Sequence, residues 1–253
     1  MQKFRRLTIF FILTTFLFVM GGPIPNVLAT SHAVAPDMGS AASFVALASS
    51  TLTNTGAGEF VGNVGVSPGT AVTGFPPGTV RNGAIYMGGA VPAQAQNDAN
   101  SAYIDLAGQA CDENLTSQDL GGMTLTPGVY CFDTSAQLTG DLVFDALGDP
   151  LAVWVIQIGS TLTTASNSSV AAINGGQAVN VYWQVGTSAT IGTGTEFNGN
   201  ILADASITLD TGAGLIGRAL SLNGAVTMDT NGTPYISNTP LFEFLYLPIT
   251  LKS

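Results

Sequence analysis

Few side chains in this sequence could do chemistry, and most of them are hydroxyls. Threonine recurs at a fixed interval. Ala189-Thr190-Ile191-Gly192, Ile207-Thr208-Leu209-Asp210 and Val226-Thr227-Met228-Asp229 align, with 18 residues from Thr190 to Thr208 and 19 from Thr208 to Thr227. Each period reaches Thr-Gly or Thr-Asn three residues after its first Thr. The same phrase occurs as Thr161-Leu162-Thr163-Thr164-Ala165 and as Thr51-Leu52-Thr53-Asn54-Thr55-Gly56. β-Branching holds the Thr χ1 in few rotamers, and neighbouring strands lie about 4.8 Å apart. Stacked threonines therefore present methyls and hydroxyls as a fixed grid, which can order water at little entropic cost.

Other candidates are sparser. Asp210 and Asp229 occupy equivalent repeat positions and could form an acid pair or a Ca²⁺ site of the kind used by polysaccharide-active enzymes. The competing reading is a pair of solvated turn residues: Gly192 fills the matching place in the third period, and no Lys, Arg or His lies nearby in sequence. The serines lack a histidine partner for nucleophilic catalysis. Arg218 is an isolated base and reads as a surface or strand-end residue. Cys111 and Cys131, an even pair 20 residues apart, read as one disulfide, worth about 3 kcal/mol through the unfolded state. The alternative is two free buried thiols. Two thiols without a nearby histidine do not make a zinc shell, so no metal and no cofactor is expected.

These residues must be positioned by strands. A period of 18 to 19 residues accommodates three strands of about six residues per turn, the arithmetic of a triangular β-solenoid. Ile191, Leu209 and Met228 would stack inside and threonines outside. One segment breaks the period-two pattern. Ala95, Ala99, Ala102, Tyr103, Leu106 and Ala110 follow i, i+3, i+4 spacing, which predicts one amphipathic helix over about 91–110. More than a hundred residues, helix included, separate Thr55 from Thr164, so the N-terminal coil must be carried beside the C-terminal coils by an excursion, with the helix packed along one face.

Composition narrows the function. Of 253 residues 46% are apolar and only 9% charged, against roughly 25% charged in an ordinary soluble domain. Six Lys and Arg face 16 Asp and Glu, which disfavours nucleic acid as a partner. Residues 1–29 read as a secretory signal: Lys3, Arg5 and Arg6 precede the apolar run Leu7 to Met20, and Val27-Leu28-Ala29 offers a small-residue cleavage site. Cleavage after Ala35 is the alternative and would also remove His32, the single histidine. A run of 14 falls short of the about 20 residues of a membrane span, so no membrane association is expected after cleavage. Residues 30–239 then form one domain. The apolar tail 240–253 reads as a cover for an open solenoid end, or as a cell-surface attachment.

Several phrases resemble a known family. Ala42-Ser43-Phe44 running to Thr53-Asn54-Thr55-Gly56, Val64-Gly65-Val66-Ser67-Pro68-Gly69, Thr73-Gly74-Phe75-Pro76-Pro77-Gly78, Leu120-Gly121-Gly122, Thr126-Pro127-Gly128-Val129-Tyr130 and Gln157-Ile158-Gly159-Ser160-Thr161-Leu162 are similar to the secreted microbial ice-binding proteins. The resemblance spans about Ser40 to Tyr235. It implies a mostly β, discontinuous triangular β-solenoid (β-helix) with one long α-helix alongside, not an enzyme, whose partner is the ice crystal surface. It further implies a flat face bearing a T-A/G-x-T/N motif. Carried over, Thr164-Ala165-Ser166-Asn167 matches fully. Thr193-Gly194-Thr195 is followed by Glu196, Thr211-Gly212-Ala213 by Gly214, and Thr55-Gly56-Ala57 by Gly58. Thr230-Asn231-Gly232-Thr233 keeps both end positions. The ice-binding set so implied is Thr55, Thr164, Asn167, Thr193, Thr211, Thr230 and Thr233, and strand alternation would place Glu196 outward on the same face. Thr161, Thr190, Thr208 and Thr227 form a second ladder on the preceding strand that could serve instead. The expected function is a secreted or cell-surface protein restraining ice growth or recrystallisation. The alternatives are an extracellular adhesion or polysaccharide-binding module and a Ca²⁺-dependent polysaccharide-active enzyme.

Overall fold

The computed structural model describes residues 33–229 and the strand Tyr235–Ser237. The predicted signal 1–29, His32, Thr230, Thr233 and the tail 240–253 lie outside the described residues. In chain order the strands before the helix are β1 (Phe44–Ala48), β2 (Thr51–Asn54), β3 (Glu59–Val61), β4 (Asn63–Val66), β5 (Ala71–Thr73), β6 (Thr79–Arg81) and β7 (Ile85–Met87). The helix α1 (Ala90–Ala107) follows. Then come β8 (Glu113–Asn114), β9 (Thr124–Leu125), β10 (Gly128–Phe132), β11 (Ala136–Leu138), β12 (Asp141–Asp145), β13 (Trp154–Ile158), β14 (Leu162–Thr164) and β15 (Ser169–Ile173). The last are β16 (Val181–Val185), β17 (Ala189–Ile191), β18 (Glu196–Ala203), β19 (Ile207–Leu209), β20 (Gly214–Ser221), β21 (Val226–Met228) and β22 (Tyr235–Ser237). The protein is thus mostly β with one helix.

Every strand pairing is parallel, and successive turns of chain deliver strands to three ladders in the same order. The first ladder runs β8-β10-β13-β16-β18-β20-β1-β4-β7. The second is a seven-stranded sheet, β11-β14-β17-β19-β21-β2-β5. The third runs β9-β12-β15-β18-β20-β22-β3-β6. β18 and β20 are long enough to belong to both the first and the third, which joins those two ladders into one fifteen-stranded sheet. The bend inside them falls at Gly199 and Gly217, with φ of 124° and 148°. A Cβ on Gly217 would lie 1.9 Å from the Gly199 carbonyl oxygen, so only glycine allows these strands to stack at the corner.

The excursion is closed by β2, which pairs with β21, while β1 pairs with β20. N-terminal turns therefore stack on the last C-terminal turn. The clasp between them includes charge-assisted hydrogen bonds. Arg218, in β20, is largely buried; its Nε and Nη2 donate to the Ala42 carbonyl at 3.1 and 2.8 Å, and its Nη1 to Asn200 Oδ1 at 2.7 Å. It is not the surface base expected from its isolation in sequence. Burial pushes its pKa down, opposed by the neighbouring Tyr182, and the three hydrogen bonds replace the water it has lost.

Two apolar cores follow from the period-two alternation. Inside the ladders, Phe144, Trp154, Trp183 and Phe197 pack ring against ring with centroids 4.9 to 5.9 Å apart. Both indole N–H groups are satisfied, by the Leu125 and Asn198 carbonyls. The second core lies under α1, whose Ala95, Ala99, Ala102 and Leu106 pack on Val129, Val155, Tyr182, Leu202 and Leu220 of the first ladder. Small residues at those helix positions let it approach the sheet closely, and this packing stabilises a helix that has no side-chain cap. The helix ends at Ala107, three residues earlier than its apolar spacing predicts, because Gly108 follows and the chain then turns to Cys111. Ala110 is exposed outside the helix. Cys111 and Cys131 are joined by a disulfide, which ties this exit to β10.

Candidate functional site

Parallel ladders offer three outward surfaces, and the structure treats each differently. The first is covered by α1. The third carries Asp141, Asp145, Glu59, Glu196 and Arg81 among its strand residues, with Arg81 Nε 3.2 Å from Glu59 Oε2. The second has no charged residue in any of its seven strands and is left uncovered by the helix.

The register of that second ladder aligns one outward column. Gln137 pairs with Thr163, Thr163 with Thr190, Thr190 with Thr208, Thr208 with Thr227, Thr227 with Thr53, and Thr53 with Thr73. Six threonines from six successive turns thus stand in line. Local alternation causes this. Leu162, Ala189, Ile207, Val226 and Leu52 precede these threonines and are buried in the core, while Leu138, Ile191, Leu209 and Met228, on the other side of the column, are buried too. The residue between two inward positions must face out. Thr163 and Thr73 are exposed and the four between them are half-buried by their neighbours in the column. Thr73 Oγ1 lies 3.4 Å from Thr53 Oγ1. A parallel column, Thr161, Ser188, Ser206, Ala225 and Thr51, precedes it by two residues and is also free of charge.

The residues implied by the T-A/G-x-T/N motif fall elsewhere. Thr164 is 4% exposed; its hydroxyl accepts from the Gly192 N–H at 2.8 Å and lies 3.2 Å from Thr195 Oγ1. It faces inward because Thr163 takes the outward place, so Thr164 belongs to the interior and not to a water-facing array. Thr193 and Thr211 lie in the turns that lead from the second ladder to the third. The backbone N–H of Asn167 donates to Thr193 O, and that of Gly194 to Thr211 O. Asn167, Gly194 and Gly212 all take left-handed φ, 57°, 67° and 75°, so the motif marks a corner turn at the rim of the array. The second ladder proposed from sequence is corrected by one pair: Thr163, not Thr161, aligns with Thr190. Glu196 is exposed, but it opens β18 in the third ladder, in register with Ser169 and Gly214; the corner turn carries it off the threonine array. Thr53 and Thr163 were missed by aligning phrases on their first threonine, and Thr73 stood in no aligned phrase. Aligning the inward residues, Leu162 with Ala189 and Leu52 with Val226, recovers Thr163 and Thr53.

At the same rim, Asp229 accepts from Thr55 Oγ1 at 2.6 Å and from Thr211 Oγ1 at 2.8 Å. These hydrogen bonds hold its carboxyl below the usual aspartate range. One carboxylate thus links three adjacent turns across the seam between β21 and β2. Among the described residues, no three of His, Cys, Asp and Glu gather where they could hold a metal ion.

The comparisons with known proteins bear on family and fold. Residues 46–233 match the family described as Ice-binding-like. An ice-binding protein of Nostoc sp. (strain HG1) is 58% identical over 195 residues, covering 77% of this chain and 72% of that one. A crystal structure of an ice-binding protein from an Antarctic biological consortium superposes with a TM-score of 0.76 at 47% identity, over 81% of this chain and 93% of the other. That of the Antarctic ascomycete Antarctomyces psychrotrophicus gives 0.77 at 38% identity, over 81% of this chain and all of its own.

Proposed function

The chain belongs to the ice-binding-like family, and from that premise we propose that it adsorbs to ice through the threonine ladder. The observation that carries the reading is the six-threonine column in register on the uncharged sheet that α1 leaves uncovered. Neighbouring hydroxyls repeat at about 4.8 Å across strands and outward positions at roughly 6.7 Å along them. Each hydroxyl can donate and accept, and the adjacent methyls deny water other partners. Immobilising a single water costs about 0 to 2 kcal/mol, so one site decides little. A rigid array adds many such sites in one plane, and the core beneath keeps it from rearranging. No covalent step and no cofactor enters this function.

We read the three ladders as the faces of a discontinuous triangular β-solenoid, with Thr55, Thr193, Thr211 and Asn167 as the rim of the ice-binding face. Export through residues 1–29 fits the disulfide, since such bonds persist in oxidising compartments. Cleavage after Ala29 is favoured over Ala35: Ala33 is buried beside α1, and the backbone of Val34 exchanges two hydrogen bonds with the Gln109 side chain. The adhesion-module and Ca²⁺-dependent enzyme readings gain no support from the relatives named above, and the carboxylate that the latter needs is taken up by Thr55 and Thr211.

Partition of the purified protein into a slowly growing ice phase tests the proposal. Wild-type protein is expected to enter the ice, and Thr190→Tyr with Thr208→Tyr to leave it in the liquid while thermal unfolding stays nearly unchanged. Exclusion of the wild type, or full incorporation of the double variant, would overturn it.

A further inference from the structure

The two ends of the ladders are finished differently. At one end, the turn through β8 and β9 lays Leu115, Leu120 and Leu125 across the core, all buried. At the other end are β5, β6 and β7. Ile85 and Met87 stand in register with Val64 and Val66, which are fully buried, yet they are 38% and 62% exposed. Val72 and Val80 stand in register with the buried Leu52 and Phe60 and are themselves only half-buried. Among the described residues, then, the inward row of the last turn is apolar and only partly covered, with Phe75 of the turn between β5 and β6 packed on Phe60, ring centroids 4.9 Å apart. An uncovered terminal strand also leaves backbone groups free to pair with another chain.

We propose that residues 238–253 of this same chain cover that end. β22 closes at Ser237 in the third ladder, followed by β3 and then β6, the last strand there. The distance to the open end is therefore two strand spacings, about 10 Å, whereas sixteen residues can span up to about 50 Å. The segment is matched in chemistry as well. It carries Leu241, Phe242, Phe244, Leu245, Leu247 and Ile249, with Glu243 and Lys252 its only charges. Placed over Val72, Val80, Ile85 and Met87, these side chains do for this end what Leu115, Leu120 and Leu125 do for the other. The inference is independent of how the threonine ladder functions.

Hydrogen exchange read by mass spectrometry tests it, comparing the full chain with one ending at Thr239. Amides over 71–87 are expected to exchange about tenfold faster without the tail, with 128–203 unchanged. Equal protection in both proteins overturns the proposal. Should the shortened chain not fold, Leu245→Asp with Leu247→Asp in the full chain is expected to give the same local acceleration, and no change there overturns it equally. A photo-reactive benzophenone side chain at position 87 is expected to cross-link to 238–253 of its own molecule. Cross-linking to a second copy, or none to the tail, refutes the intramolecular cover.

Discussion

The threonine ladder and the charged ladder are built on the same backbone repeat, a corner turn apart, yet they present opposite surfaces. Both bury alternate residues in one shared core, and both stack parallel strands in register. Outward, one carries Thr163, Thr190, Thr208, Thr227, Thr53 and Thr73 in line, and the other carries Asp141, Glu196, Glu59 and Arg81 among uncharged neighbours. The scaffold supplies spacing and rigidity to both. Only the outward side chain decides whether water meets a uniform lattice or a set of separate charges, each of which orients water about itself.

The largest expected effect is a break of this contrast at its centre. Thr208→Lys places a charge within the column and is expected to raise the concentration needed to inhibit ice recrystallisation at least tenfold, about 1.4 kcal/mol in adsorption. Asn198→Lys on the charged ladder is expected to change it less than twofold. Equal losses from the two, measured by microscopy of ice grains, would remove the distinction drawn between the faces. Next comes Thr164→Val, an interior change just behind the array. It leaves the Gly192 N–H without its side-chain acceptor, at a cost of about 1 to 3 kcal/mol, read as a fall of roughly 2 to 10 °C in Tm. Ice adsorption near 0 °C is expected to persist, because the outward column is intact.

A smaller effect sharpens where the threonine array stops. Thr193→Tyr, at the rim, is expected to weaken ice adsorption by about threefold, under 1 kcal/mol, well short of the loss from Thr190→Tyr measured in the same partition assay. If the rim substitution is the more damaging, the working surface is the corner and not the strand column. The least effect concerns pH. Asp229 has a folded pKa depressed by the hydroxyls of Thr55 and Thr211, so its contribution to stability is present above the ordinary aspartate range near pH 4. It is lost as pH falls through the lower folded value. Asp229→Ala is therefore expected to flatten slightly the acid limb of Tm against pH. An unchanged limb would show that the seam is held without this carboxylate.

Much of this architecture was legible in the residues. The interval of 18 to 19, the alternation around Thr190, Thr208 and Thr227, the Ala95-Ala99-Ala102 stripe and the return of the N-terminal coil to the C-terminal ones all correspond to what the structure contains. The failures were of two physical kinds. Thr161 was aligned in place of Thr163 because a two-residue slip keeps the same face and threonine stands at both places; Thr164 was placed outside because a one-residue slip reverses every side chain in a period-two element and threonine looks the same on either face. Arg218 was read as a surface base because nothing local reveals that Ala42 and Asn200 will meet it.

By itself, then, the sequence determined what is local and periodic: parallel strands of a fixed repeat, a charge-poor outward row of threonines, one amphipathic helix, and a cysteine pair able to close a loop. The tertiary structure alone decided which ladder α1 covers, which it leaves open, and that Thr53 and Thr73 extend a column begun at Thr163, 110 and 90 residues later in the chain. The physical reason is range. Alternation follows from backbone geometry over two residues, whereas exposure depends on which distant surface is buried against another, and only the folded stack brings those surfaces together.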